Sequence, residues 1–246
     1  MKILLLLVTL LLSLEAIITI APIQLGEKPG YSGSFEGSFE TKRGNTDKDE
    51  YTLGLKLLYD NNSSYALWSD VIGTYGEASG QRNTNKTYVH LRLIHTLAGP
   101  LNWESFLQSE TNEFTNVEKR RLGGLGLRYH FFGSQVGDLF FGVGGFYEKI
   151  SYSTEIDTRE KNTRINTYIA YVKEFDNGHK FTYVAYYQPK IDNFEDYITS
   201  HGIEMKFHIV KQFFLKLNLY YDVDSTPALG IEKVDFSQRT ILSYEF

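Results

Sequence analysis

The end of this chain limits its fold more than any other stretch. Residues 233–246 read Lys-Val-Asp-Phe-Ser-Gln-Arg-Thr-Ile-Leu-Ser-Tyr-Glu-Phe. The even positions carry Val234, Phe236, Leu242, Tyr244 and Phe246. The odd ones carry Lys233, Asp235, Ser237, Arg239, Ser243 and Glu245, with Ile241 the exception. A period of two sends the two sets to opposite faces of a strand. Chain termini ordinarily fray, so an amphipathic strand that ends on an aromatic residue needs a partner to hold it. A transmembrane barrel supplies one, because its last strand closes on its first and aromatic girdles mark its interfaces. Tyr244 and Phe246 are therefore expected to form the barrel-closing C-terminal signal.

The other terminus points to the same compartment. Met1-Lys2 precedes an apolar run from Ile3 to Leu12, broken by one Thr and followed by small residues near Ala16 and Ala21. That pattern predicts a secretory signal over residues 1–21. Glu15 stops the run short of the roughly 20 apolar residues that a spanning helix needs. The chain has no Cys, which excludes disulfides, thiol chemistry and a lipid-anchoring cysteine. A negative mean hydropathy without a second long apolar run excludes a helical membrane protein. A barrel tolerates it, because half of each strand faces the lumen. A net charge of -5 argues against a nucleic-acid partner.

Residues 22–30 form an irregular lead-in containing Pro22, Pro29 and Gly30. From there to residue 246 the chain reads as one all-β domain, a transmembrane antiparallel up-and-down barrel of about twelve strands. Segments with strand periodicity cover residues 31–41, 50–60, 65–77, 84–97, 101–114, 119–132, 139–153, 162–175, 179–189, 195–209, 212–224 and 233–246. Connections after even segments are short; most of those after odd segments are longer and more polar, including an expected loop over residues 78–83. Outer-membrane barrels show this asymmetry, with short periplasmic turns and both termini in the periplasm.

Sorting each strand by its apolar face sends one set of charges to the lumen. The set is Glu36, Lys56, Asp70, Arg92, Glu104, Arg120, Arg128, Arg164, Glu204, Lys206, Lys216, Asp222 and Arg239, accompanied by Glu40, His90, Glu110, His130, Glu174, Lys180 and His208. Mixed signs predict a solvated interior whose charges pair across strands. A selective pore would instead concentrate one sign at one height. Twelve strands lie between the filled eight-stranded barrel and the open sixteen-stranded channel.

Enzymatic parts are scarce. Nucleophilic catalysis needs a Ser, a base and a group to orient the base, yet none of the six His is followed two residues later by Ser. His90 and His95 fall on opposite faces. His130, His179, His201 and His208 have no carboxylate at useful spacing, and Asp222 and Asp224 read as rim carboxylates. The glycines of Gly123-Gly124-x-Gly126 and Gly142-x-Gly144-Gly145 lie within strands, where they permit bends. No catalytic, cofactor-binding or metal-binding residue is expected, and no cofactor.

Several motifs carry a family resemblance. Gly44-Asn45-Thr46 precedes Tyr51-Thr-Leu-Gly-Leu. Tyr75-Gly76-Glu77 and Leu122-Gly-Gly-Leu-Gly-Leu-Arg-Tyr129 follow, and the tail reads Tyr221-Asp-Val-Asp-Ser-Thr-Pro227, then Gly230-Ile-Glu-Lys233-x-Asp235. Together they resemble the salt-induced (YdiY-like) outer-membrane family, whose function is unknown. That family often has two adjacent prolines where this chain has Pro227-Ala228. The resemblance spans residues 31–246 and implies a barrel with no catalytic residue to carry over, and its name hints at salt stress. The expected partners are outer-membrane lipids and, during biogenesis, the barrel-assembly machinery. The expected role is a narrow passive pore or a structural envelope protein. A hydrolase of lipid or peptide, or a surface-binding barrel, is the alternative.

Overall fold

The computed structural model describes Ile23 and residues 25–42, 48–133, 136–153, 159–228 and 230–246. The expected signal and the Gly44-Asn45-Thr46 motif lie outside the described residues. Twelve strands follow one another: β1 (Gly30–Lys42), β2 (Lys48–Asp60), β3 (Tyr65–Ala78), β4 (Gln81–Ala98), β5 (Leu101–Asn112), β6 (Val117–Phe132), β7 (Asp138–Tyr152), β8 (Arg159–Glu174), β9 (Lys180–Pro189), β10 (Tyr197–Val210), β11 (Phe213–Asp224) and β12 (Val234–Glu245). Each is antiparallel to its sequence neighbours, and β12 pairs with β1 to close the barrel.

Turn chemistry fixes the registers. At residues 61–64 the Asn61 side-chain oxygen accepts hydrogen bonds from the amides of Ser63, Ser64 and Tyr65, and Asn62 takes a positive φ of 65°. The loop expected over residues 78–83 is instead a two-residue hairpin turn, Ser79-Gly80. Both of its residues have positive φ (51° and 74°), the geometry that matches strand twist. That tight turn lets β3 and β4 run on to Ala78 and Gln81. A single 3₁₀ turn, Glu113–Thr115, caps β5. The connections after even strands share one end of the barrel with the start of β1 and the end of β12, called here the terminal end. The opposite one is the loop end.

The outward face is apolar. Leu53, Leu107 and Leu125 are 73%, 62% and 70% exposed, and Val71, Val89, Leu127 and Val143 join them in a continuous belt. A soluble monomer rarely shows so large an apolar surface, whereas hydrocarbon requires it. Aromatic pairs border the belt. Tyr31–Tyr59 (4.8 Å between centroids), Tyr59–Tyr65 (5.9 Å), Tyr129–Phe131 (5.0 Å) and Phe213–Tyr244 (5.2 Å) lie toward the terminal end. Phe39–Tyr51 (4.9 Å) and Tyr187–Tyr197 (5.8 Å) lie toward the loop end. Two girdles around an apolar band are what a strand-built membrane span requires.

The closing contact is small and tight. Gly33 and Phe246 exchange two backbone hydrogen bonds of 2.9 and 3.0 Å. The Phe246 ring lies 5.4 Å from Phe35 and 6.5 Å from Tyr244. A Cβ on Gly33 would stand 2.5 Å from the Lys56 carbonyl oxygen and 2.8 Å from the Phe246 ring. Gly142 serves the interior in the same way, because the ring of its cross-strand partner Tyr168 occupies the space where a Cβ would be. Gly33→Val should destabilise the barrel by about 1–3 kcal/mol through overpacking. Gly37→Ala, where no atom lies within 4 Å of the added carbon, should be tolerated. Urea midpoints of the refolded barrel, followed by heat-modifiable gel mobility, would separate the two.

Candidate functional site: the barrel lumen

Inward side chains divide the lumen into a packed half and an open half. Strands β4 to β9 pack theirs. Arg92 and Arg128 flank Glu104 at 3.2 and 3.7 Å, and the Tyr168 hydroxyl donates to the same carboxylate. The Arg92 guanidinium lies 5.3 Å from both the Trp68 and Phe106 rings, and that of Arg128 lies 5.0 Å from Phe140. A second network runs toward the loop end. Glu148, fully buried, accepts from Arg120 at 2.7 Å and from Arg164 at 2.7 Å. Arg120 continues to Glu110 at 3.0 Å, and Arg164 to Asp196 at 2.9 Å. Lys190 closes the row on Asp196 at 2.5 Å. Signs alternate along it, so each buried charge has an opposite neighbour, without which burial would be prohibitive.

Asp196 lies in the connection between β9 and β10. Burial works to raise its carboxyl, but hydrogen bonds from Lys190 and Arg164 outweigh that and hold it below the usual carboxylate range. The tether it forms is therefore intact above about pH 4 and is lost as pH falls through the lowered value.

The open half lies against β1–β4 and β9–β12. There a cavity of about 590 Å³ is lined, among the described residues, by seven acidic and seven basic side chains. Glu36 accepts from Lys216 at 2.6 Å and lies 3.6 Å from Lys56, which is 4.0 Å from Asp70. Glu204, Lys206 and Arg239 complete the wall on β10 and β12. Apolar side chains interrupt it at Leu58, Trp68, Ile72, Tyr88 and Val184. The lead-in sits within the barrel at the terminal end. Ile23 and Leu25 pack on Trp68, Tyr88 and Ile94. The Ile23 carbonyl accepts from Arg128 at 2.9 Å, and the Gly26 amide donates to Asp60 at 2.7 Å. Glu27 pairs with Lys180 at 3.0 Å and Lys28 with Glu245 at 2.9 Å.

The structure thus places the expected lumen charges in two groups. Arg92, Glu104, Arg120, Arg128 and Arg164 are in the packed half, while Glu36, Lys56, Asp70, Glu204, Lys206, Lys216 and Arg239 line the cavity. Asp222 is buried near the loop end of β11, and its carboxylate oxygens have no hydrogen-bond partner among the described residues. Tyr244 and Phe246 face outward, 37% and 51% exposed.

Sequence reasoning missed Glu148, because both faces of β7 read as apolar: Phe140, Phe146 and Ile150 point inward, Phe141, Val143 and Tyr147 outward. It also left His130 without a carboxylate. The β6–β7 hairpin brings Asp138 to 2.8 Å from the His130 ring, eight residues on. The ring stacks on Phe140 at 4.6 Å, and among the described residues no Ser or Thr hydroxyl is bonded to the pair. A base and its orienting carboxylate are present there, and among the described residues no nucleophile is bonded to them.

The family model described as "Protein of unknown function, DUF481" matches residues 36–246. No curated protein matches the chain. Among solved structures, an outer membrane channel from Pseudomonas putida F1 is similar at a TM-score of 0.55 and 11% identity, covering 93% of this chain and 100% of that one. The NanC porin follows at 0.53 and 10%, covering 87% and 98%. The translocator domain of the autotransporter NalP from Neisseria meningitidis is similar at 0.50 and 10%, covering 89% and 90%. Identities this low show a shared fold, that of outer-membrane barrels.

Removing Glu148 would leave Arg120 and Arg164 facing each other in a buried site. Glu148→Gln should cost about 3–5 kcal/mol of stability. Glu110→Gln, at the more exposed end of the same row, should cost much less in urea unfolding.

Proposed function

A match over residues 36–246 makes this chain a member of the DUF481 (YdiY-like) family, and we propose that it is a narrow passive conduit of the outer membrane, closed at rest by its own lead-in. Residues 1–21 act as the export signal, and the strand carrying Tyr244 and Phe246 is what the assembly machinery reads. Both termini then lie in the periplasm.

The neutral cavity supports this reading most directly. Among the described residues equal numbers of acidic and basic side chains line it, so the cavity as a whole carries no net sign with which to select ions. The cavity stops at the lead-in, which among the described residues is held by two hydrogen bonds, two partly exposed ion pairs and the packing of Ile23 and Leu25. Exposed ion pairs contribute up to about 1 kcal/mol each, so the lead-in can leave without the barrel unfolding. Similarity to porins and channels rather than enzymes agrees with a non-enzymatic role. The neutral cavity gives no physical ground for an association with salt.

Planar-bilayer recording tests the proposal. The mature protein should show rare, small conductance steps, and deletion of residues 22–29 should make them frequent and larger. The reversal potential in a salt gradient should stay near zero. A correctly folded, heat-modifiable barrel that is silent in both forms would refute the conduit.

A further inference from the structure

The seam that closes the barrel is only partly zipped. β1 pairs with β2 over thirteen residue pairs and β12 with β11 over eleven. β1 and β12 pair with each other over four, Ser34–Glu245 to Gly37–Leu242, next to the Gly33–Phe246 hydrogen bonds. The same register would continue with Ser38 opposite Ile241 and Thr41 opposite Gln238, and the ladder does not form there. Both strands continue as regular structure through this region, each paired on its other side. The gap therefore lies between two intact edges on the loop-end side.

Open sheet edges do not occur against hydrocarbon, because an unpaired backbone group finds no water there to bond. They are tolerated where they line a cavity. Here they do. Ser38, Phe39, Ser237, Gln238, Thr240 and Ile241 all belong to the cavity wall. Outside, Phe39 and Phe236 stand at the two edges, 58% and 61% exposed. On the inner side Arg239 lies in the unpaired stretch of β12, lines the cavity and forms no ion pair among the described residues. Deeper in, Leu58, Ile72, Tyr88 and Val184 give the polar lumen an apolar lining, and Trp68 marks its base. Meanwhile the lead-in occupies the axial route at the terminal end.

We propose that the unzipped part of the β1–β12 seam is a lateral doorway between the bilayer and the cavity for a single-chain anionic amphipath of the fatty-acid class. The alkyl chain passes between Phe39 and Phe236 and rests on the apolar lining, and the carboxylate pairs with Arg239. The volume of about 590 Å³ falls within the range of small-molecule sites. This inference rests on the cavity of the conduit reading, not on its axial route, and adds a lateral route and the solute class.

The absence of native Cys and the presence of two Trp make a direct test possible. In a Trp103→Phe background the only indole is Trp68 at the cavity base, and bromoalkyl chains quench indoles on contact. The full barrel, reconstituted in phosphatidylcholine vesicles, would be titrated with bromododecanoic acid. Thr41→Cys with Gln238→Cys allows a bismaleimide to bridge the gap. Quenching of Trp68 in the unlinked protein, slowed severalfold or abolished after linking, is the expected result. Arg239→Gln should raise the half-quenching concentration of the acid and leave that of bromododecanol unchanged. Equal quenching before and after linking, or none before it, overturns the doorway even if conductance steps are seen. A link that joins two chains instead of two edges also overturns it and assigns the seam to a second copy. A barrel silent in conductance that still shows link-sensitive quenching would sink the axial conduit and leave the doorway standing.

Discussion

In hydrocarbon a sheet has to return to itself, because no water is present to satisfy an open edge. In this barrel that requirement falls on a very short stretch of chain. Gly33 and Phe246 exchange backbone hydrogen bonds, and four residue pairs extend the contact. Side chains prepare the site on both strands. Gly33 offers no Cβ, so the Phe246 ring fits against the backbone, and Phe35 and Tyr244 give that ring aromatic neighbours. The turns set the registers of the other strand pairs, and this contact alone joins the first strand to the last.

Closure creates an interior where side chains from distant strands meet, and charge neutrality governs what can stand there. The row from Glu110 through Arg120, Glu148, Arg164 and Asp196 to Lys190 alternates in sign, with each buried ion held by an opposite one. Around Glu104 the same rule is met with two guanidiniums and aromatic faces. These networks fill one half of the lumen and make it stiff. The other half keeps its cavity, and the lead-in packs only at its terminal end. A rigid half next to a hollow one concentrates any movement along β1, β12 and the lead-in.

How much of this could be read from the chain depends on the range of the interaction. Alternation places Leu53, Leu57 and Phe35 outward and Glu36, Lys56 and Arg92 inward, because facing is set by each residue's position in its own strand. Asn61 marks a turn for an equally local reason. The parity rule fails on β7, where both faces are apolar and Glu148 goes unnoticed. It is also silent on His130 and Asp138, which meet across a hairpin. The Ser79-Gly80 turn was obscured because the polar residues around it look like a longer loop, although their backbone remains in strand.

The sequence by itself therefore determined a barrel of about twelve strands, their two faces, the closing role of the last one and most of the lumen charges, since each follows from a period of two along the chain. Tertiary structure alone decided which charges pair, which half of the lumen stays hollow, that the lead-in folds into it, and that the seam is zipped over only part of its length. Those depend on the stagger between strands around the closed ring. Stagger sets the height of every side chain relative to residues far away in sequence, and an alternating pattern carries no information about height.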